Sequence, residues 1–171
     1  MEITLLKPTS LRIKGKSATA VVSPDAKGKY QADVALSLTL HEIPLGTFEE
    51  QPLFVTGPGE YESKGMKITG MLLDSVLSYQ ITLDGITTVM TKGNVIGKAK
   101  DKFEDAEVLV ILADEVVSQA AITALDPYVV VLFGEKAEES AKGLGKESAP
   151  VGKYVVTKDK LPSEMEVVCL M

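Results

Sequence analysis

Short apolar segments separated by polar turns fill the first half of the chain, a pattern that is typical of β-strands. Alternation of apolar and polar residues over positions 79–83 predicts a half-buried strand, and Asp84-Gly85 predicts a tight hairpin into the apolar residues 86–90. The other predicted strands of this half are Ile3–Leu6, Ser10–Ile13, Thr19–Val22, Val34–Leu40, Leu53–Val55 and Met66–Met71. This half is therefore predicted to consist of strands and turns.

The second half of the chain alternates strands with helices. Glu107–Leu112 and Val129–Phe133 are continuous apolar runs, as expected for strands that are covered on both faces. Between them, an apolar face predicts a helix from Glu115 to Leu125, with Asp114 as its N-cap. The remaining predicted elements are a short polar helix at Glu135–Lys142 and strands at Tyr154–Thr157 and Glu166–Leu170. This order predicts a mixed sheet or two packed sheets with helices outside.

Composition and charge narrow the classes of partner. The 171 residues fit one domain, 1–171, and the 45% hydrophobic and 25% charged fractions are those of an ordinary soluble protein. The net charge is −6, and the densest basic group, Lys98, Lys100 and Lys102, is offset by neighbouring acids, so we expect no nucleic-acid partner. The apolar runs are too short to cross a bilayer, and we do not expect the N-terminus, with its early acid and no long apolar stretch, to be a secretory signal. We therefore expect no membrane association and a cytoplasmic location.

The residues offer little catalytic chemistry. A zinc site needs about four ligands drawn from His, Cys and carboxylates, whereas this chain contains one histidine, His41, and one cysteine, Cys169. Nucleophilic triads need a base beside the nucleophile, and no serine near His41 lies in a nucleophile-elbow pattern. Glycine-rich phosphate-loop motifs are absent. We expect a capping or surface role for His41, burial as a small hydrophobe for Cys169, and exposed, non-catalytic carboxylates at Asp33, Glu42, Glu60 and Glu62.

Several framework segments match the motifs of a known family, in order along the chain. Residues 3–13 resemble its opening strand I-T-W-L-G-H-S-S-F-R-I, and residues 32–38 resemble the strand A-D-I-V-L-V-S that precedes its metal loop. Residues 54–62, Phe-Val-Thr-Gly-Pro-Gly-Glu-Tyr-Glu, match its glycine-rich hairpin most closely. Residues 127–134 resemble its P-x-I-V-I-P-x-H strand, and residues 161–168 resemble its C-terminus. The chain thus resembles the zinc-dependent hydrolases of the metallo-β-lactamase fold, in the lactonase-like bacterial and archaeal group.

The metal-binding motifs of that family are missing from this sequence. The family's ligand positions fall, in chain order, on Pro8, Thr39, His41, Ile43, Pro44, Gly93 (or Asn94 with a slip of one residue) and Gly134. Only His41 matches a family ligand. The resemblance therefore implies a chain with no catalytic residues, no metal site and no cofactor.

A fold kept without its ligands leads to two functional hypotheses. The resemblance implies an α/β (α+β) protein, a trimmed αββα sandwich of two mixed β-sheets. The first hypothesis is a non-catalytic pseudo-hydrolase with a binding or assembly role, and the alternative is a hydrolase with a non-standard or carboxylate-held metal site.

The apparent trimming of the family's site-covering loops also bears on assembly. It is expected to uncover apolar surface near the strand ends, which favours a homodimer or another protein as partner. The alternative is that the same residues pack inside a smaller core. The residues concerned are Leu36, Leu38, Leu40, Met71–Leu73 and Val76–Leu77.

Overall fold

Thirteen strands in two sheets form the framework of the computed structural model, which describes residues 1–40, 43–146 and 149–171. The strands are β1 (Glu2–Lys7), β2 (Ser10–Lys14), β3 (Thr19–Val22), β4 (Val34–Leu36), β5 (Leu53–Val55), β6 (Gly59–Ser63), β7 (Met66–Leu73), β8 (Val76–Leu83), β9 (Ile86–Lys92), β10 (Val108–Leu112), β11 (Val129–Phe133), β12 (Lys153–Val155) and β13 (Glu166–Leu170).

Both sheets are mixed. The first sheet has the order β12-β1-β2-β3-β4-β5 and is antiparallel up to β3, after which β3, β4 and β5 run parallel. The second sheet has the order β13-β11-β10-β9-β8-β7-β6, with the parallel part running from β13 to β9. The predicted class, a sandwich of two mixed β-sheets, is confirmed.

Different apolar patterns in the two sheets decide which faces are covered. In β2, Leu11 and Ile13 are fully buried between the sheets, while Arg12 and Lys14 point outward. Every residue of β10 and of β11 is buried. Alternate side chains of these two strands enter the core between the sheets, and the others enter a second core on the outer face. A continuous apolar run therefore needs a covering layer that the alternating strands do not need.

The helices supply that layer on the second sheet. They are α1 (Ile96–Ala99), α2 (Gln119–Leu125) and α3 (Ala137–Gly143), whose apolar side chains join the outer core of this sheet. On the outer face of the first sheet, the described residues provide loops and a 3₁₀ turn, Leu45–Thr47. The rings of Tyr30, Phe48 and Phe54 pack there in a tilted pair, at 45°, and a T-shaped pair, at 83°. No helix in the described ranges is both long and apolar enough to span a bilayer.

Several predicted element bounds differ from the structure. The strand predicted at Val34–Leu40 ends at Leu36, because the chain then leaves the first sheet. The helix predicted from Glu115 begins at Gln119, with Ser118 and not Asp114 before it. Asp114 instead forms an ion pair with Lys92, at 2.6 Å. The hairpin at Asp84-Gly85 has the positive φ values, 54° and 77°, of the predicted tight turn.

Candidate functional site

Strand directions bring the family's ligand positions to one end of the sandwich. Strands β1, β3, β4, β9, β10 and β11 all end there, and we call this end the strand-end edge. The turn with Pro8 lies on it because β1 and β2 meet there, and Thr39 lies just beyond β4. Gly93 and Gly134 directly follow β9 and β11. The sequence alignment to the family therefore corresponds to a real cluster of positions.

A segment of the chain crosses from one sheet to the other at this edge. This crossing segment, Ser37–Leu40, continues from β4, and its Thr39 forms an antiparallel bridge with Val76 at the start of β8. The amide of Leu77 donates to the carbonyl of Leu38 at 3.2 Å. The Ser37 hydroxyl donates to the carbonyl of Thr39 at 2.7 Å. The residues at this point of the chain, which precede a metal loop in the family, therefore form backbone hydrogen bonds with the start of β8 here.

Tyr79 anchors the crossing segment through a buried hydrogen bond from β8. Its side chain is fully buried, and its hydroxyl donates to the carbonyl of Ser37 at 2.6 Å, with the carbonyl of Val55 at 3.2 Å. Burial raises the pKa of the Tyr79 hydroxyl well above its ordinary value of 10.0. The hydroxyl therefore remains a neutral donor near neutral pH, and it joins three parts of the fold.

The two glycines at ligand positions have neighbours where a side chain would begin. A Cβ on Gly134 would lie 2.8 Å from Leu112 Cδ1 and 3.0 Å from the carbonyl oxygen of Ala113, and the φ of Gly134 is +101°. A Cβ on Gly93 would lie 3.1 Å from Val117 Cγ2. The amide of Val117 donates to the buried Ser140 hydroxyl at 3.0 Å, which holds this packing in place. At Gly134 the positive φ and the Ala113 carbonyl disfavour any side chain, and at Gly93 a side chain would require Val117 to shift.

The other ligand positions do not supply a donor set for zinc. Pro8 is exposed and has no donor atom in its side chain, Ile43 is buried, and Pro44 is half-buried. His41 lies outside the described residues. Among residues 1–40, 43–146 and 149–171, no group of three or more His, Cys, Asp or Glu side chains could hold a metal ion. The described residues at the strand-end edge therefore do not fit the family's metal site.

The remaining candidate residues have structural or solvated positions. Asp33 accepts a hydrogen bond from the Thr19 amide at 2.8 Å and pairs with Lys64 at 2.6 Å, and the bond from Lys64 lowers the pKa of its carboxyl despite partial burial. Glu60 and Glu62 are exposed on the edge strand β6, and Glu42 lies outside the described residues. Cys169 is buried, and its thiol donates to the carbonyl of Ala137 at 3.6 Å.

A groove on the outer face of the first sheet was not predicted from the sequence. It has a volume of about 580 Å³, and its lining includes Lys7, Arg12, Lys14 and Lys29. These four residues are spread over 23 positions of the sequence and form no basic run. Only the outward alternation of Arg12 and Lys14 along β2 could have indicated part of this group.

Comparison with known proteins adds evidence on the fold. No protein-family model matches the sequence, and no curated protein matches it. A Thermotoga maritima protein assigned to the zinc-dependent hydrolases of the metallo-β-lactamase superfamily is 15% identical, with a TM-score of 0.79 over 99% of this chain and 98% of that one.

Two further solved structures are more distant. A protein from Parabacteroides distasonis assigned as a metal-dependent hydrolase is 17% identical, with a TM-score of 0.64 over 99% of this chain and 93% of that one. The diiron β-hydroxylase CmlA from Streptomyces venezuelae is 8% identical, with a TM-score of 0.55 over 80% of this chain and 45% of that one. Identities this low speak to fold and not to activity. The chain has the metallo-β-lactamase fold.

Proposed function

We propose that this chain is a non-catalytic protein of the metallo-β-lactamase fold, with a binding or assembly role. The observation that carries the proposal is the packing at Gly134, where a Cβ would meet both a side chain and a backbone carbonyl within 3.0 Å. The bridge between Thr39 and Val76 supports it, because it uses the backbone of a second ligand position for sheet pairing. Two positions that hold metal ligands in the family, Gly134 and Thr39, are used here for packing and for sheet pairing.

The alternative function is a hydrolase whose metal is held by carboxylates. Such a site requires several Asp or Glu side chains that converge on one point, usually with His. In the part of the chain that the structure describes, no such group occurs. Asp114, the acid that follows β10 at the strand-end edge, is already paired with Lys92. Because no observation favours this alternative, we do not propose it.

Elemental analysis tests the proposal directly. The protein is produced in medium supplemented with zinc, manganese and iron, desalted, and analysed together with the His41→Ala variant. We expect far less than one metal ion per chain in both proteins, since the family's other ligand positions are occupied by residues without suitable donors. A tightly held metal at about one ion per chain that disappears in His41→Ala would overturn the proposal. Hydrolysis of lactone and phosphodiester substrates that follows the metal content would do the same.

The assembly part of the proposal is a homodimer or a complex with another protein, in the cytoplasm. Of the apolar residues predicted at the strand ends, Leu40 and Leu72 are exposed, at 57% and 42%. Most of the others are core residues, namely Leu36, Leu38, Leu73, Val76 and Leu77. The smaller-core alternative therefore describes most of this set. Leu40 and Leu72 are the residues of the set that we propose as contacts in an assembly.

A further inference from the structure

The outer-face groove of the first sheet is built from two parts of the chain. Its floor is formed by outward side chains of β2 and β3, with Arg12 in register between Thr4 and Val21. The opposite wall is the loop with residues 28–31, which includes the buried ring of Tyr30. The five residues of β2 span about 13 Å at ~3.3 Å per residue, which gives the approximate length of the floor. A volume of about 580 Å³ lies within the range of small-molecule sites.

The charge of the groove is opposite to that of the whole chain. Its lining has four cations, Lys7, Arg12, Lys14 and Lys29, and one carboxylate, Glu49, in a protein of net charge −6. The Glu49 carboxylate already accepts a hydrogen bond from Gln31. Within the described residues, Lys7 and Lys14 form no ion pair. Lys29 donates to the carbonyl of Gly46 at 3.1 Å and Arg12 has Glu2 as a neighbour at 3.6 Å, so among the described residues Lys7 and Lys14 supply the unpaired positive charge of the groove.

Arg12 lies at the centre of this group and is only partly satisfied. Its Nη2 atom is 3.6 Å from Glu2 Oε1. Its Nε atom is buried and has no hydrogen-bond partner among the described residues. A buried donor without a partner is destabilising, because it has lost water and gained no acceptor. The Arg12 side chain as a whole is 38% exposed, so an oxyanion on the groove floor would accept from its terminal Nη donors, in the planar geometry that a guanidinium favours.

We propose that the outer-face groove binds a small anion carrying two or more phosphate groups. Phosphate oxygens match the forked donors of Arg12, and the lysines on either side of Arg12 match further charges along the floor. The length of the floor exceeds what one phosphate group can contact. This inference concerns a different surface from the strand-end edge. It adds a ligand class to the proposed binding role and does not depend on the absence of a metal.

Isothermal titration calorimetry with sodium pyrophosphate, in buffer containing EDTA, tests the inference. We expect saturable binding of one pyrophosphate per chain, weaker binding of inorganic phosphate, and a loss of affinity with added salt. Arg12→Gln removes the fork and should weaken pyrophosphate binding about ten-fold or more, as the loss of a charge-assisted hydrogen bond does. Arg12→Lys keeps the charge without the fork and should give an intermediate affinity.

Lys100→Gln is the matched control, because it removes one exposed positive charge outside the groove. We expect it to change the affinity less than about two-fold, as a distant screened charge does. Should Arg12→Gln fail to fold, judged by its thermal melt, Lys14→Gln replaces it, since Lys14 is exposed and lies on the same floor.

Absence of saturable pyrophosphate binding to the wild-type chain, or an equal loss of affinity in Arg12→Gln and Lys100→Gln, would overturn the inference. Citrate binding as tightly as pyrophosphate would refute the phosphate assignment, and tighter binding of a short single-stranded oligonucleotide would refute a small ligand.

Discussion

Tyr79→Phe removes one hydroxyl group and tests whether the bond from Tyr79 to Ser37 holds the crossing segment at the strand-end edge. The phenyl ring keeps the packing of a fully buried side chain, so the change is confined to the hydrogen bonds. The carbonyl of Ser37 loses a donor at 2.6 Å, and that of Val55 loses the contact at 3.2 Å. A buried acceptor left without its donor costs about 1–3 kcal/mol. We expect the free energy of unfolding to fall by that amount.

Urea denaturation followed by circular dichroism measures this loss, with Tyr128→Phe as the matched control. The Tyr128 side chain is exposed at 47%, so its hydroxyl can be removed with a change within about 0.5 kcal/mol. Hydrogen exchange adds a local readout, because the Leu77 amide is bonded to Leu38 in the crossing segment and should exchange faster in Tyr79→Phe. Equal stability of Tyr79→Phe and wild type, within about 0.5 kcal/mol, would refute the anchoring role.

Three further outcomes follow from the structure. Gly134→Ala should destabilise the protein by about 2–4 kcal/mol, since it combines a positive φ with overpacking. Its control is Gly97→Ala, which has open space in α1 and should stabilise the protein by about 0.5–1 kcal/mol. Equal urea midpoints for the two variants would contradict the packing argument. Asp33 has a lowered pKa, so its contribution to stability is present above its ordinary value of 3.8 and is lost as the pH falls through the lowered value. Denaturation between about pH 5 and pH 2 should therefore show a smaller loss for Asp33→Asn than for wild type, and identical losses would contradict this. Light scattering should give about twice the 18.3 kDa of one chain if the protein is a homodimer, and a monomer mass at high concentration would refute the homodimer and leave a complex with another protein.

Local patterns were sufficient to predict most of the framework. Strands such as Thr19–Val22, Val129–Phe133 and Glu166–Leu170 have the predicted bounds, because their apolar residues are bounded by turns that the sequence shows directly. The predicted start of α2, at Glu115, was wrong because tertiary contacts hold the residues before Gln119 in another conformation. Residues before Gln119 pack over Gly93, and Asp114 pairs with Lys92, so the first predicted turn of helix does not form. Contacts with residues distant in sequence therefore outweigh the local helix propensity of residues 115–118.

The closure of the strand-end edge could be predicted only in part. The sequence shows that ligands are missing at Gly93 and Gly134, but it does not show that neighbouring chain fills their space. The crossing segment looked like the end of a strand, since an extended chain has the same apolar pattern whether it pairs with its own sheet or with the opposite one. The partner of Tyr79 is 42 residues away along the chain, a separation that no local pattern encodes.

The two sheets differ in the covering layer that their sequences permit, and this difference determines where the fold can bind a ligand. β10 and β11 are apolar on both faces, so the second sheet gains stability from the helices that cover it. β2 presents Arg12 and Lys14 on its outer face, and a helix laid over them would have to desolvate two cations. The outer layer on this half is therefore replaced by loops that leave a basic groove between them. Because neighbouring side chains and carbonyls occupy the space at Gly93 and Gly134 on the strand-end edge, we infer that the outer face of the first sheet is a surface on which this variant of the fold retains room for a ligand.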